Sequence, residues 1–358
     1  MMTRIAAPIV YAGLVLLVYA CSQQNNGQPP AASTTDAASP AAATQQDQAQ
    51  PETPPREIVR IAGDLYRVQN GFHFTVILVT PEGIILADPI NADAAAWLKG
   101  ELAQRFGVPV RYVLYSHFHW DHASGARVFD DTATLVGHAN MPMALENAIT
   151  SFPVQVTLVD ADGDQRLDRD EATGELVPVF DELDTNADGY LTGAEILADV
   201  LLPEIVYAER LTITLGGKTV ELIHPGPSHS IDGTVLLFPE ERVIYGVDFI
   251  NVKRLALGFP GTGTLPEWIH SLKKVEALDF AIVTPGHSSV GTKADFTAYR
   301  KFFEELQAVV ADAVESGTTL ADLLASDVLT DYSDLPNYVP QRNRNIEEAY
   351  SLLVAGSN

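Results

Sequence analysis

The chain reads as an α/β protein in which two β-sheets pack face to face with helices outside, and three features point there. Short apolar strand-like runs fall in two groups, one over residues 58–115 and one over residues 211–245. Each group leads into stretches with helical spacing. Turn signals at Gly63-Asp64, Asn70-Gly71 and Pro81-Glu82-Gly83 separate the early runs at hairpin distances. Apolar strands and amphipathic helices must cover one another, so two sheets between helical layers is the economical packing.

Taken in order, residues 58–61, 65–68, 74–79 and 84–87 are β-like and read as sequential hairpins. Residues 94–106 then carry Trp97, Leu98, Leu102 and Phe106 on or near one helical face, and residues 110–115 return to strand. The second group comprises residues 211–215, 220–224, 234–238 and 243–245. Trp268, Leu272 and Val275 mark a helix before a strand at 281–283, and the C-terminal part is helical over 293–315, 320–324 and 344–354. Its apolar stripes are faces for packing on a sheet.

The first fifth of the chain differs. Arg4 precedes an uncharged apolar stretch at residues 5–20, sixteen residues long and short for a membrane span, so residues 1–21 read as a signal peptide. Cys21 is the only cysteine, which excludes disulfides and a thiolate metal ligand. Its context, Val18-Tyr19-Ala20-Cys21, resembles a bacterial lipobox, in which that cysteine is lipidated. Ser22 after it points to the outer membrane, facing the periplasm. Residues 22–55 are Gln, Ala, Pro, Ser and Thr with hardly a larger aliphatic residue, a disordered tether that cannot bury enough apolar surface to offset its ordering entropy. The catalytic domain is then residues 56–358.

The formal net charge of −25 argues against nucleic acid, which needs a basic patch to release counterions. Residues 155–200 hold nine Asp and four Glu against Arg166 and Arg169, a net −11 that accounts for nearly half of the total.

Chemistry concentrates in His117-Phe118-His119-Trp120-Asp121-His122, four groups of ligand type in six residues directly after an apolar strand. Neutral imidazole suits zinc and other first-row metals, and carboxylate adds a harder oxygen. With partners further along, this run resembles the signature of the metallo-β-lactamase-fold hydrolase superfamily, over about residues 58–353 apart from one insertion. The resemblance implies a four-layer αββα sandwich with a dinuclear site at one edge, for two zinc ions or other first-row divalent metals. It implies His117 and His119 on the first metal, Asp121 and His122 on the second. His229, in Pro225-Gly226-Pro227-Ser228-His229-Ser230-Ile231-Asp232-Gly233, completes the first metal in preference to His224, which ends a strand. Asp248, in Tyr245-Gly246-Val247-Asp248, is the bridging carboxylate, and His287, in Thr284-Pro285-Gly286-His287, the last ligand. An aspartate bridge is similar to the glyoxalase II and lactonase branches.

The implied activity is hydrolysis of an ester, lactone, thioester or related bond in a small-molecule substrate, by a hydroxide held between two metals. Asp121 is the candidate proton carrier, and Asp88 resembles the aspartate that supports the ligand loop. His73 and His270 read as surface or core groups, and His138 as a neighbour of the site. Two other readings stay open: an oxidoreductase like the persulfide dioxygenases, with one iron on His117, His229 and Asp248, and a calcium-responsive binding lipoprotein.

Inside the acidic segment, residues 184–195 match an EF-hand calcium loop through Asp184, Asn186, Asp188, Gly189, Tyr190, Thr192 and Glu195. Residues 160–171 repeat it through Asp160, Asp162, Asp164, Asp168 and Glu171, with Arg166 at the carbonyl position and Gln165 in place of the turn glycine. Leu167 and Leu191 hold equivalent places and are expected to pair. A Ca2+-binding EF-hand pair inserted at 155–200 also accounts for the unusual width of the gap between His122 and His229, which are 107 positions apart, and it is expected near the metal-site edge.

Overall fold

The structure is a computed structural model that describes residues 54–151, 160–173, 176–256 and 263–356. The expected signal peptide, nearly all of the expected tether and residues 155–159 of the insertion lie outside the described residues. Among the described residues no helix is long and apolar enough to cross a membrane.

The first sheet is built from β1 (Arg56–Ala62), β2 (Leu65–Asn70), β3 (His73–Thr80), β4 (Gly83–Ala87), β5 (Val110–Leu114), β6 (Thr134–His138) and β9 (Ile205–Tyr207), side by side in that order. The second contains β10 (Arg210–Leu215), β11 (Lys218–Ile223), β12 (Val235–Phe238), β13 (Val243–Gly246), β14 (Ile282–Pro285) and β15 (Gly291–Thr292). Both sheets are mixed: β4, β5, β6 and β9 run parallel, as do β13 and β14, while the hairpins are antiparallel.

Alternation along each strand builds the layers. In β4, Ile85 and Ala87 join the core between the sheets, whereas Ile84 and Leu86 face outward onto α1 (Ala92–Phe106) through Ala95, Leu98 and Leu102. In the second sheet Leu236, Phe238, Val243 and Tyr245 point inward, while Val235, Leu237 and Ile244 pack outward. That outer core is completed by α6 (Leu265–Glu276), α7 (Lys293–Ser316), α8 (Leu320–Ala325) and α9 (Tyr338–Gly356). Phe296, Phe302 and Phe303 are each 1 % exposed or less, and burying a side chain of that size contributes roughly 1.5–3 kcal/mol. The period of two thus produces helix, sheet, sheet, helix.

Local signals set several boundaries. Asn91 caps α1 by accepting from the Ala94 amide at 2.8 Å, and Gly107 ends it in the left-handed conformation. Thr292 and Asp295 form a capping box at the start of α7. The last helix begins six residues before the expected 344, because Pro340 falls in its first turn, where a missing N–H costs nothing.

Within the acidic insertion β7 (Leu167–Asp168) and β8 (Tyr190–Leu191) form a two-stranded ladder that pairs Leu167 with Leu191. α4 (Leu176–Leu183) and α5 (Gly193–Ile196) supply the rest of a small core of Leu167, Ala172, Leu176, Phe180, Leu191 and Ile196. Trp120, from the ligand run, packs against that core. The unit is tied to the same loop again where Gly125 donates to Asp199 at 2.7 Å.

Candidate metal centre

Parallel pairing of β4 with β5 and of β13 with β14 brings the carboxyl ends of these strands to one edge of the sandwich, the place where α/β folds present functional groups. The ligand run follows β5, Asp88 follows β4, Asp248 follows β13 and His287 follows β14. β3 is antiparallel to β4, so its first residue, His73, reaches the same edge.

Two clusters result. His117, His119, His229 and Asp248 form one; His73, Asp121, His122 and His287 form the other. In the first, His119 Nδ1 lies 2.7 Å from His117 Nε2 and 3.1 Å from His229 Nε2. Asp248 Oδ2 lies 3.4 Å from His117 and 3.3 Å from His229. In the second, His122 Nε2 lies 2.9 Å from His287 Nε2 and 3.1 Å from Asp121 Oδ2. Asp248 Oδ1 is 2.9 Å from His287 Nε2, so its two oxygens face the two clusters. Metal–nitrogen bonds of about 2.0–2.1 Å in a tetrahedral site put neighbouring donors roughly 3.3 Å apart, and the spacings here fall at or somewhat below that distance. The donors therefore fit a pair of divalent first-row metals.

Electrostatics favour that use at His117 and His119, whereas at His122 and His287 burial is outweighed by the nearby Asp121 and Asp248 charges, which raise the imidazoles. Burial pushes the His117 imidazole down to about 4 and His119 well below its usual range, which keeps both neutral and able to ligate. Burial pushes the Asp121 and Asp248 carboxyls up, but the surrounding histidines outweigh it and hold both well below the usual carboxylate range. Asp248 sits at φ 57°, a left-handed conformation rare outside glycine, after the extra residue that separates it from Gly246. Strain of this kind at a shared carboxylate is consistent with a position held for its ligand geometry.

Around the clusters the buried Asp88 accepts from the Ser116 amide at 2.7 Å and from the Tyr245 hydroxyl at 2.9 Å, anchoring the residue before His117. Burial raises its pKa, and the charge of His122 only partly offsets this. Ser116 Oγ approaches His117 Nδ1 at 2.9 Å. Asp232 accepts from Ser230 Oγ, and Arg254 donates to the His287 carbonyl at 3.0 Å.

Each expected ligand of the run and its partners thus reaches the edge. His224 does not: it stacks on His138, ring centroids 4.1 Å apart, and approaches the Gly233 carbonyl at 2.8 Å. His270 is exposed. His73, expected as a surface or core group, is 4 % exposed and belongs to the second cluster, its Nε2 3.2 Å from Asp121 Oδ2. Sequence reasoning missed it, together with Tyr245 and Ser116. A signal existed for His73, since it shares strand parity with the buried Thr75 and Ile77.

The two calcium-type loops share one local arrangement, with the Gln165 and Gly189 amides donating to Asp160 and Asp184 at 3.1 and 3.0 Å. Asp160, Asp162 and Glu171 of the first loop bring their oxygens together, although Gln165 is forced to φ 64°. In the second loop Asn186 stands where Asp162 does, and Glu195 makes the equivalent contact, accepting from the Thr192 amide at 3.0 Å as Glu171 accepts from the Asp168 amide at 3.1 Å.

An αββα sandwich with clustered histidines and aspartates at its strand ends defines a class of metal-binding proteins. The chain belongs to the Metallo-beta-lactamase superfamily, whose profile matches residues 71–287. It is 22% identical over 268 residues to the 2,4-dinitroanisole O-demethylase subunit alpha of Nocardioides sp. (strain JS1661), covering 73% of this chain and 66% of that one. It is 24% identical over 243 residues to a linear primary-alkylsulfatase of Pseudomonas sp. (strain ATCC 19151), covering 66% of this chain and 44% of that one. The chain therefore spans less than two thirds of the length of these relatives. A metallo-beta-lactamase from Pontibacter korlensis shares the fold, with a TM-score of 0.50 at 16% identity over 70% of this chain and 99% of that one. Members of the superfamily include metal-dependent hydrolases.

Proposed function

We propose that the protein is a hydrolase with two divalent metals, zinc by the preference of imidazole and carboxylate donors, that cleaves an ester, lactone, thioester or related bond. The observation that carries the reading is the Asp248 carboxylate, with one oxygen 2.9 Å from His287 and the other 3.3 Å from His229. Metals bound there would lower the pKa of water toward about 7 and polarise a substrate oxygen. His117, His119 and His229 would hold the first, and Asp121, His122 and His287 the second. Asp121, its side chain 20% exposed, is the candidate to pass a proton to the leaving group. Asp88, through Ser116, keeps the ligand run in register.

Calcium on the two acidic loops is the second part of the reading. The loop pattern and the approach of Asp160, Asp162 and Glu171 support it, and the contact of Trp120 with the unit's core links its order to the ligand run. The third part is export, with lipidation at Cys21 holding the domain at a membrane. Labelling with a radioactive fatty acid tests it: label lost in Cys21→Ser supports the anchor, and an unlabelled wild-type protein removes it.

The deciding experiment is a panel of ester, lactone, thioester, phosphodiester and β-lactam substrates, with metal content measured on the same sample. An alkyl sulfate and an aryl methyl ether belong in it because of the relatives' names. Two zinc ions with turnover of one bond class supports the proposal. One iron and no hydrolysis replaces it with the iron oxidoreductase.

A further inference from the structure

We propose that His73 is a ligand of the second metal, so that His73, Asp121, His122 and His287 hold that ion together with the Asp248 oxygen. The inference rests on the reading of the two clusters as a dinuclear site. Its first support is ring geometry. His73 meets His287 edge-on, centroids 4.6 Å apart at 72°, and His122 at 5.4 Å and 64°. The same edge-on pattern joins His117 to His119 (4.3 Å, 75°), His119 to His229 (4.8 Å, 82°) and His122 to His287 (4.8 Å, 74°). Imidazoles that converge on one point meet this way; the His138–His224 pair, outside both clusters, instead lies stacked at 26°.

The second support is position. His73 Nε2 and the donor atoms of Asp121, His122 and His287 all lie within 4.8 Å of one another. The strand that carries His73 is fixed to the loop that carries His287: the Phe74 amide donates to the Gly286 carbonyl at 2.8 Å. Arg67 lies over the Phe74 ring at 3.5 Å and donates to the Pro285 carbonyl at 3.3 Å and to the Ser288 carbonyl. The turn before it holds Gly71 at φ 61° and leaves Phe72 83% exposed, so the hairpin turns His73 in and Phe72 out. A side chain held this firmly is pre-organised for a ligand. The consequence is an asymmetric pair, with more protein donors on the second metal than on the first and its remaining open position correspondingly restricted.

The test uses the full chain, isotopically labelled at its histidine nitrogens, stripped and reloaded with an NMR-active cadmium isotope. One-bond coupling between cadmium and a ring nitrogen reports ligation directly. Of the nine histidines, six should couple: His73 with His117, His119, His122, His229 and His287. Five coupled rings, with His73 uncoupled, overturn the assignment and leave the dinuclear reading intact, whereas none would overturn that reading itself. Cadmium titration of His73→Gln should show the first ion bound as in wild type and the second weakened by about tenfold or more. Two ions bound with wild-type affinity would sink the proposal, and the coupling count on wild type decides it even if the variant does not fold.

Discussion

The hydroxyl of Tyr245 supports a test of how the ligand run is held. It lies 2.9 Å from Asp88 Oδ2 and 3.1 Å from the Phe74 carbonyl, and both Tyr245 and Asp88 are fully buried. Tyr245→Phe keeps the ring in the core between the sheets but leaves a carboxylate oxygen of Asp88 without this donor. Stranding one buried partner of a hydrogen bond costs about 1–3 kcal/mol. For a domain of this size that corresponds to a fall in Tm of roughly 2–6 °C. The Asp88 carboxyl, already raised by burial, should rise further. Calorimetry on the metal-loaded protein reads the first effect, and the rate of metal loss to a chelator reads the loosening of the segment from Ser116 to His117. Retained Tm and unchanged metal release in Tyr245→Phe would refute the idea that this hydroxyl holds Asp88, and through it the ligand run.

His119→Ala and Asp248→Ala are each expected to lose metal and at least about 100-fold in kcat/KM while circular dichroism stays native; full activity in either overturns the ligand assignment. A chelator selective for calcium and too weak to strip zinc should lower activity, and Trp120→Ala should weaken that response, because Trp120 joins the insertion's core to the ligand run. Identical kinetics with and without calcium would confine the insertion to a stabilising role. Burial pushes the Asp232 carboxyl up to about 7 from 3.8, with Ser230 and backbone donors only partly opposing it. The folded chain then keeps a proton that the unfolded chain has released, so stability is greatest near the lower value and falls as pH rises toward 7, by at most about 4 kcal/mol. Urea unfolding of the chelated protein should show this decline, and Asp232→Asn should flatten it; an equal slope in both removes Asp232 as the cause.

What could be read along the chain was what is local or periodic. The run from His117 to His122 announces itself because its ligands lie within one loop, and the strands announce themselves because alternate residues face opposite cores. His229, Asp248 and His287 were expected through the family resemblance, which places candidate ligands in turns that follow strands. The capping residues Asn91 and Thr292 follow the same local logic. The loop repeat was legible too, because its oxygen donors recur at fixed local positions, and Glu171 and Glu195 at the twelfth make the same backbone contact.

Contacts between distant strands were not legible. His73 meets Asp121 across 48 residues, and Tyr245 meets Asp88 across 157. Neither pair has a spacing that could announce it, because strand order, register and the packing of one sheet on the other determine it. The same limit applies to Trp120, whose second neighbour is an insertion that begins some distance downstream. Sequence alone determined the ligand types, their order and the period that builds the layers, all of which are short-range properties. Only the tertiary structure decided that His73 joins the second cluster and that Tyr245 supports Asp88, because hydrogen bonds and ligand convergence act over a few ångströms in space, whatever their separation along the chain.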